Sequence, residues 1–299
     1  MEYETLSPDA AKYPAKLRTR LGDAAPTLYY QGPLNLLDRF CLGVICSDNH
    51  PGQCMLEANQ LLFTIREYAL NYVGGWQSVM EMEIFRLSMD ARQDPRGIRS
   101  TTILTSRGMQ HESLDNYLDD RYGPVGPFRD FPQKPEYYRR GKEGELLALS
   151  ATQPSVKRML RANILQKNLV ACALSNLIFV PFADKGSKTM VSVKRALKLG
   201  IPMFTVNVPQ NNFLLDMGIP TYTRKTVGAF LESQGVERDG ASPFPKPDQE
   251  LPSIKECDRR AAKILQEARE RRAQRLAHAT QSTFLDELTC YPAGKKKQH

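Results

Sequence analysis

The chain has 299 residues, 41% of them hydrophobic, which suits one large domain with a buried core and argues against a chain too polar to fold. Its longest apolar runs, such as 177–182, are far too short to cross a bilayer, and residues 1–11 carry acids without an apolar stretch. The expectation is therefore a cytoplasmic protein with no membrane partner, and the formal net charge of +8 favours a polyanionic one.

Residues 1–32 are polar and turn-rich, with Pro8, Pro14 and Pro26. Residues 40–47 (FCLGVICS) then form a short apolar run closed by Asp48-Asn49-His50-Pro51-Gly52, the pattern of a buried parallel strand leading into a loop. Residues 53–71 place Met55, Ala58, Leu61, Leu62, Ile65 and Ala69 at helical spacing. A second strand is expected over 69–73, stopped by Gly74 and Gly75, then a helix over 78–90 and a third strand at 101–105. Residues 122–144, rich in Pro, Gly, aromatics and charge, read as a surface excursion. Residues 146–150 suggest a strand and 155–174 a helix carrying Lys157, Arg158, Arg161 and Lys167. Residues 176–181 (NLIFVP) read as a central strand, 189–199 as a helix stopped by Gly200, and 201–206 as a last strand.

Strand and helix alternating at this rhythm predict an α/β fold, Rossmann-like and doubly wound around a mostly parallel sheet. The expected organisation is an N-terminal segment (1–39) packing on the core, a Rossmann-like domain (40–235), a Pro- and acid-rich linker (236–252) and a basic helical tail (253–299). Ligands of such sheets sit beyond the carboxyl ends of the strands. The loops predicted there, 47–52, 74–78, 105–109, 182–188 and 207–212, consist mostly of small or polar residues.

Chemistry-bearing sets are sparse. The six cysteines include no CxxC pair, and His50 near Cys46 and Cys54 lies in a loop, so free thiols are expected rather than a metal site. Glu81 and Glu83, two apart on a helix, face different ways. Neither a Walker loop nor a Ser/His/Asp or Cys/His motif occurs, so the expectation is a non-enzyme without metal or cofactor.

Several segments in order resemble the DNA-processing protein A (DprA, or Smf) family. Tyr13-Pro14-Ala15-Lys16-Leu17 with Pro26-Thr27-Leu28-Tyr29-Tyr30-Gln31-Gly32 is similar to its YPxxL and PPxxLYxxG; residues 42–48 sit at its strand ending in G-S-R, and 73–80 (VGGWQSVM) at its SGxAxGID. Residues 101–109 resemble TIAVLxxGxD, Lys167-Asn168 with 173–176 resembles RNRxIxxLSD, 185–189 resembles SGSLxTA, and 212–218 resembles NxLIxxGA. The resemblance spans about two-thirds of the chain. It implies a Rossmann-like fold, single-stranded DNA binding, homodimerisation and a role in loading a recombinase on DNA. Two arginines of the family pattern are replaced here, by Asp48 and Leu169, and the basic helix at 253–280 stands in place of a winged-helix tail.

Phosphate-facing candidates are Ser47, Gly74, Gly75, Ser78, Arg107, Lys167, Asn168, Lys185, Gly186, Ser187, Lys188 and Asn212, with Lys167 and Asn168 expected at the pocket floor. Trp76 is open to stacking on a base or packing in the core, and the glycines to ordinary turns. On the tail, Arg259, Arg260, Lys263, Arg271, Arg272 and Arg275 form a basic face for nucleic acid, a partner protein or solvent. The leading expectation is phosphate-dominated, non-enzymatic DNA binding in DNA processing, recombination or phage defence. The resemblance also admits an antitoxin that neutralises a phosphoribosyltransferase-like toxin, and a nucleotide-sensing pocket.

Overall fold

The computed structural model describes residues 3–89, 98–114 and 139–239, together with Gln266 and Glu270. The chain divides into two units, Met1–Pro247 and Asp248–His299; the architecture that follows belongs to the first. In chain order its elements are β1 (Glu4–Leu6), α1 (Ala15–Leu21), β2 (Leu28–Gln31), β3 (Phe40–Val44), α2 (Gly52–Ile65), β4 (Leu70–Gly74), α3 (Val79–Met89) and β5 (Ser100–Thr105). They continue with β6 (Leu146–Ser150), α4 (Arg161–Leu174), β7 (Leu177–Val180), α5 (Lys188–Lys198), β8 (Met203–Thr205), α6 (Asn212–Asp216) and α7 (Arg224–Ser233).

The strands form one sheet in the order β1-β2-β6-β5-β4-β3-β7-β8. All neighbours from β6 to β8 pair in parallel, while β1-β2 and β2-β6 are antiparallel. The chain steps outward from β3 to β6, then returns beside β3 to make β7 and β8. The α/β, mostly parallel sheet expected from the sequence is thus present.

Burial on both faces explains the unbroken apolar runs. Successive side chains alternate across the pleat. Leu42, Val44, Tyr72 and Phe179 meet α2, α3 and α7 on one face. Cys41 and Val73 meet α1 and α4 on the other, and Ile178 and Val180 join α5 there.

Four local differences from the sequence reading have physical causes. The 1–39 segment adds β1 and β2 to the sheet rather than only packing on it. The helix expected over 53–71 stops at Ile65: Tyr68 Oη donates to Glu232, and Ala69 N–H donates to the Glu237 carbonyl, drawing 66–69 into a tertiary connection. The helix expected over 155–174 begins only at Arg161, because the preceding segment lies along the loop after β5. There Gly108 N–H donates to the Val156 carbonyl and Gln110 N–H to that of Pro154. Lys157 and Arg158 therefore leave the helix. Finally, β3 ends at Val44, although Ser47 N–H still donates to the Phe182 carbonyl across the next connection.

Among the described residues, no helix is long and apolar enough to cross a membrane. Of the surface excursion, 122–138 lies outside the described residues.

Candidate functional site

The strand order reverses between β3 and β7, so their outgoing loops part toward opposite faces of the sheet. Such a switch point opens a crevice at the carboxyl ends of the strands. Ser47 lies on one lip and Ser187 on the other. Ser47 Oγ donates to Ser187 Oγ at 3.1 Å and accepts from Asp184 N–H at 3.0 Å. Ser187 also caps α5, its Oγ accepting from Met190 N–H at 3.0 Å. The two serines thus join the loops. Gly186 takes a positive φ of 85°, which a side chain would strain. Lys185 and Lys188 are exposed beside it, and the Lys185 ammonium stands 5.4 Å from the Phe213 ring centre.

Lys167 packs against the turn that follows β4. It projects from α4 with only 4% of its surface exposed, against Gly75, the residue just past the end of β4. Its Nζ donates to Gln77 Oε1 at 3.1 Å, the one hydrogen bond it makes among the described residues. Burial pushes its pKa below the ordinary lysine value, opposed by the charges of Glu81 and Glu112. An ammonium carries three protons, so this buried cation keeps donor capacity for an anion. Asn168, one position on, faces α5 and donates to Ser192 Oγ at 3.2 Å. The two adjacent side chains therefore meet different neighbours, as neighbouring helical residues point about 100° apart.

Glu81 lies at the same turn. Its carboxylate accepts from Cys46 N–H at 3.0 Å, Gln77 N–H at 2.8 Å and Ser78 N–H at 3.3 Å. Ser78 Oγ in turn accepts from Glu81 N–H at 3.2 Å, closing a reciprocal cap at the start of α3. Ser78 Oγ thus caps the helix as an acceptor, and its side chain also bears on the Cys46 sulfur. The S-x-x-E spacing from Ser78 to Glu81 is the sequence signal of this cap. Burial raises the Glu81 pKa, and Lys167 and the three N–H donors oppose the rise.

Trp76 is a core residue. It is fully buried, its Nε1 donates to the Thr102 carbonyl at 3.3 Å, and its ring centre is 5.5 Å from that of Phe85. Of its two sequence readings, packing is the one realised. Its φ of 53° is unusual for a residue with a side chain, and it places the sharp turn beside Lys167.

Arg107 follows β5. Its Nε is buried and has no partner among the described residues. With Lys157, Arg158, Met159 and Leu160 it lines a cavity of about 610 Å³. Met159 and Leu160 are 45% and 55% exposed. Gln77 links this cavity to Lys167, since its Nε2 donates to Met159 Sδ at 3.6 Å while its Oε1 holds the ammonium. The helix reading of 155–160 concealed Lys157 and Arg158 as lining residues.

Asn212 is exposed at the start of α6, while its neighbour Asn211 is fully buried. Asn211 Nδ2 donates to the Pro181 carbonyl at 2.9 Å and to Thr205 Oγ1 at 2.8 Å, bracing the ends of β7 and β8. The tail cations Arg259, Arg260, Lys263, Arg271, Arg272 and Arg275 lie outside the described residues. Among the described residues, no cluster of three metal-ligating side chains occurs. Cys46 and Cys54 are buried thiols whose pKa values burial raises.

No protein-family model and no curated protein sequence matches the chain. Solved structures do. DNA processing protein A from Streptococcus pneumoniae superposes with a TM-score of 0.57 at 19% identity, over 82% of this chain and 76% of that one. DNA processing protein A from Helicobacter pylori, which binds single-stranded DNA, gives a TM-score of 0.54 at 18% identity, over 78% of this chain and 97% of that one. The chain has a divergent form of the DprA fold.

Proposed function

We propose that the crevice at the carboxyl ends of the strands binds single-stranded nucleic acid through its phosphates, without chemistry on the bound strand. The observation that carries this reading is Lys167, a buried ammonium with unspent donors seated on Gly75 at the switch point. Burying an ammonium that has a single amide acceptor and no direct ion pair among the described residues is unfavourable, and a phosphate would relieve that cost. The cavity lined by Arg107, Lys157 and Arg158 adds further cations, and exposed Met159 and Leu160 offer apolar contact to bases. The fold shared with the single-stranded-DNA-binding protein of H. pylori supports the same ligand class. Phosphate contacts carry little sequence information, so binding is expected to be tolerant of sequence.

Fluorescence anisotropy with a labelled single-stranded oligonucleotide tests the proposal. Binding at low salt that weakens steeply as salt rises is expected; no binding at low salt overturns it. A second surface favours a partner chain: Leu56 and Phe63 on α2 are 66% and 46% exposed and seven residues apart. If they face a second copy, replacing both with Glu lowers the solution mass measured by sedimentation.

A further inference from the structure

A group of backbone donors at the start of α3 is filled from within by a carboxylate. The backbone N–H groups of Gln77 and Ser78 open α3, where the helix end favours negative charge, and both donate to Glu81 Oε2. The Cys46 N–H, from the loop after β3, donates to Oε1. A reciprocal cap needs only the bond to the Ser78 N–H. The bonds from Gln77 and Cys46 go beyond it and hold both carboxylate oxygens across two loops. Lys167 stands near, its charge felt by Glu81, yet no ion pair within 4.0 Å joins them among the described residues. The buried ammonium thus remains available beside a ring of donors that an anion already occupies.

We infer that Glu81 is an internal competitor for a phosphoryl group. Its carboxylate takes the donors that a phosphate would otherwise use at this switch point. A phosphoryl oxygen reaching the Cys46, Gln77 and Ser78 N–H groups must displace it, and Lys167 then gains the incoming charge. The inference deepens the crevice reading by adding a restraint on the same site, and it rests on that reading only for the identity of the natural ligand.

The test uses the full chain with Glu81→Ala and Glu81→Gln, titrated calorimetrically with sulfate, a phosphate mimic of constant charge, and separately with a single-stranded oligonucleotide. Glu81→Ala is expected to bind sulfate about tenfold more tightly than wild type, the scale of one charge-assisted hydrogen bond. Adding Lys167→Met to Glu81→Ala is expected to remove the gain. Near-ultraviolet circular dichroism verifies that each variant is folded, and Glu81→Gln, equal in size, is the variant less prone to collapse. Unchanged sulfate affinity in both folded variants overturns the inference, as does loss of folding in both, which would make the carboxylate a structural strut. A sulfate gain with no oligonucleotide binding in any variant would sustain the competitor and defeat the nucleic-acid reading. Oligonucleotide binding that ignores Glu81, without a sulfate gain, would do the reverse.

Discussion

The ammonium of Lys167 lies 2.1 Å from the point where a Cβ on Gly75 would stand. A helix and the end of a strand thus meet at a place where only hydrogen fits. Gly75 has no positive φ, so alanine is allowed by its backbone and excluded only by the lysine. Gly75→Ala is expected to push the flexible side-chain end aside, costing no more than about 1 kcal/mol of stability while weakening oligonucleotide binding about tenfold, or about 1.4 kcal/mol. Gly108 is the contrast. A Cβ there would meet the Pro154 and Gln153 carbonyl oxygens at 2.1 and 2.2 Å, and backbone cannot swing away. Gly108→Ala is expected to cost about 3 kcal/mol, at the upper end of ordinary substitutions. Denaturant unfolding of both variants checks the difference.

Lys167→Met separates binding from stability. The folded protein holds the Lys167 pKa below the ordinary value of 10.5, so it binds fewer protons there than the unfolded chain. The contribution of this group to stability therefore rises with pH between the lowered folded value and 10.5. The Met variant is expected to lose that alkaline slope. At neutral pH its stability should lie within about 1 kcal/mol of wild type, because relief of the buried ammonium offsets the lost attraction to Glu81. Urea unfolding across a pH series measures both. A loss of about 3–5 kcal/mol would instead mark Lys167 as half of a structural ion pair.

Arg107 and Arg158 share one cavity. If each meets a phosphate, Arg107→Ala and Arg158→Ala are expected to lower oligonucleotide affinity for all sequences alike. Each should also reduce the slope of log affinity against log salt by about 0.7, the single-strand value for one phosphate contact. Anisotropy titrations at several salt concentrations read out both quantities. A slope equal to wild type removes that arginine from the interface.

Trp76 is the only tryptophan, and it is fully buried. Its fluorescence is expected to be that of an apolar site and to stay unquenched when an oligonucleotide binds. Trp76→Ala should cost about 3–5 kcal/mol, the range for emptying an aromatic core site. Strong quenching by the oligonucleotide would contradict the packed position.

What the sequence determined by itself is the inner sheet. The runs at 40–47, 146–150 and 176–181 are apolar because parallel strands are covered on both faces, and that requirement is written locally. It also determined Lys167 as a candidate, through its place in an ordered series of segments. Tertiary structure decided the rest. β1 and β2 are short and partly polar; β2 joins the sheet only through β6, more than a hundred residues away in sequence, and β1 only through β2, so no local period announces them. Residues 155–160 have helical composition, but the loop after β5 claims their carbonyls and turns Lys157 and Arg158 into cavity lining. The S-x-x-E spacing was legible as a cap at the start of α3. That the same Glu81 carboxylate would also hold the Cys46 N–H, 35 residues distant, was not. Only the fold brings the loop after β3 within hydrogen-bond reach of α3, and with it one acid onto the backbone donors of two loops.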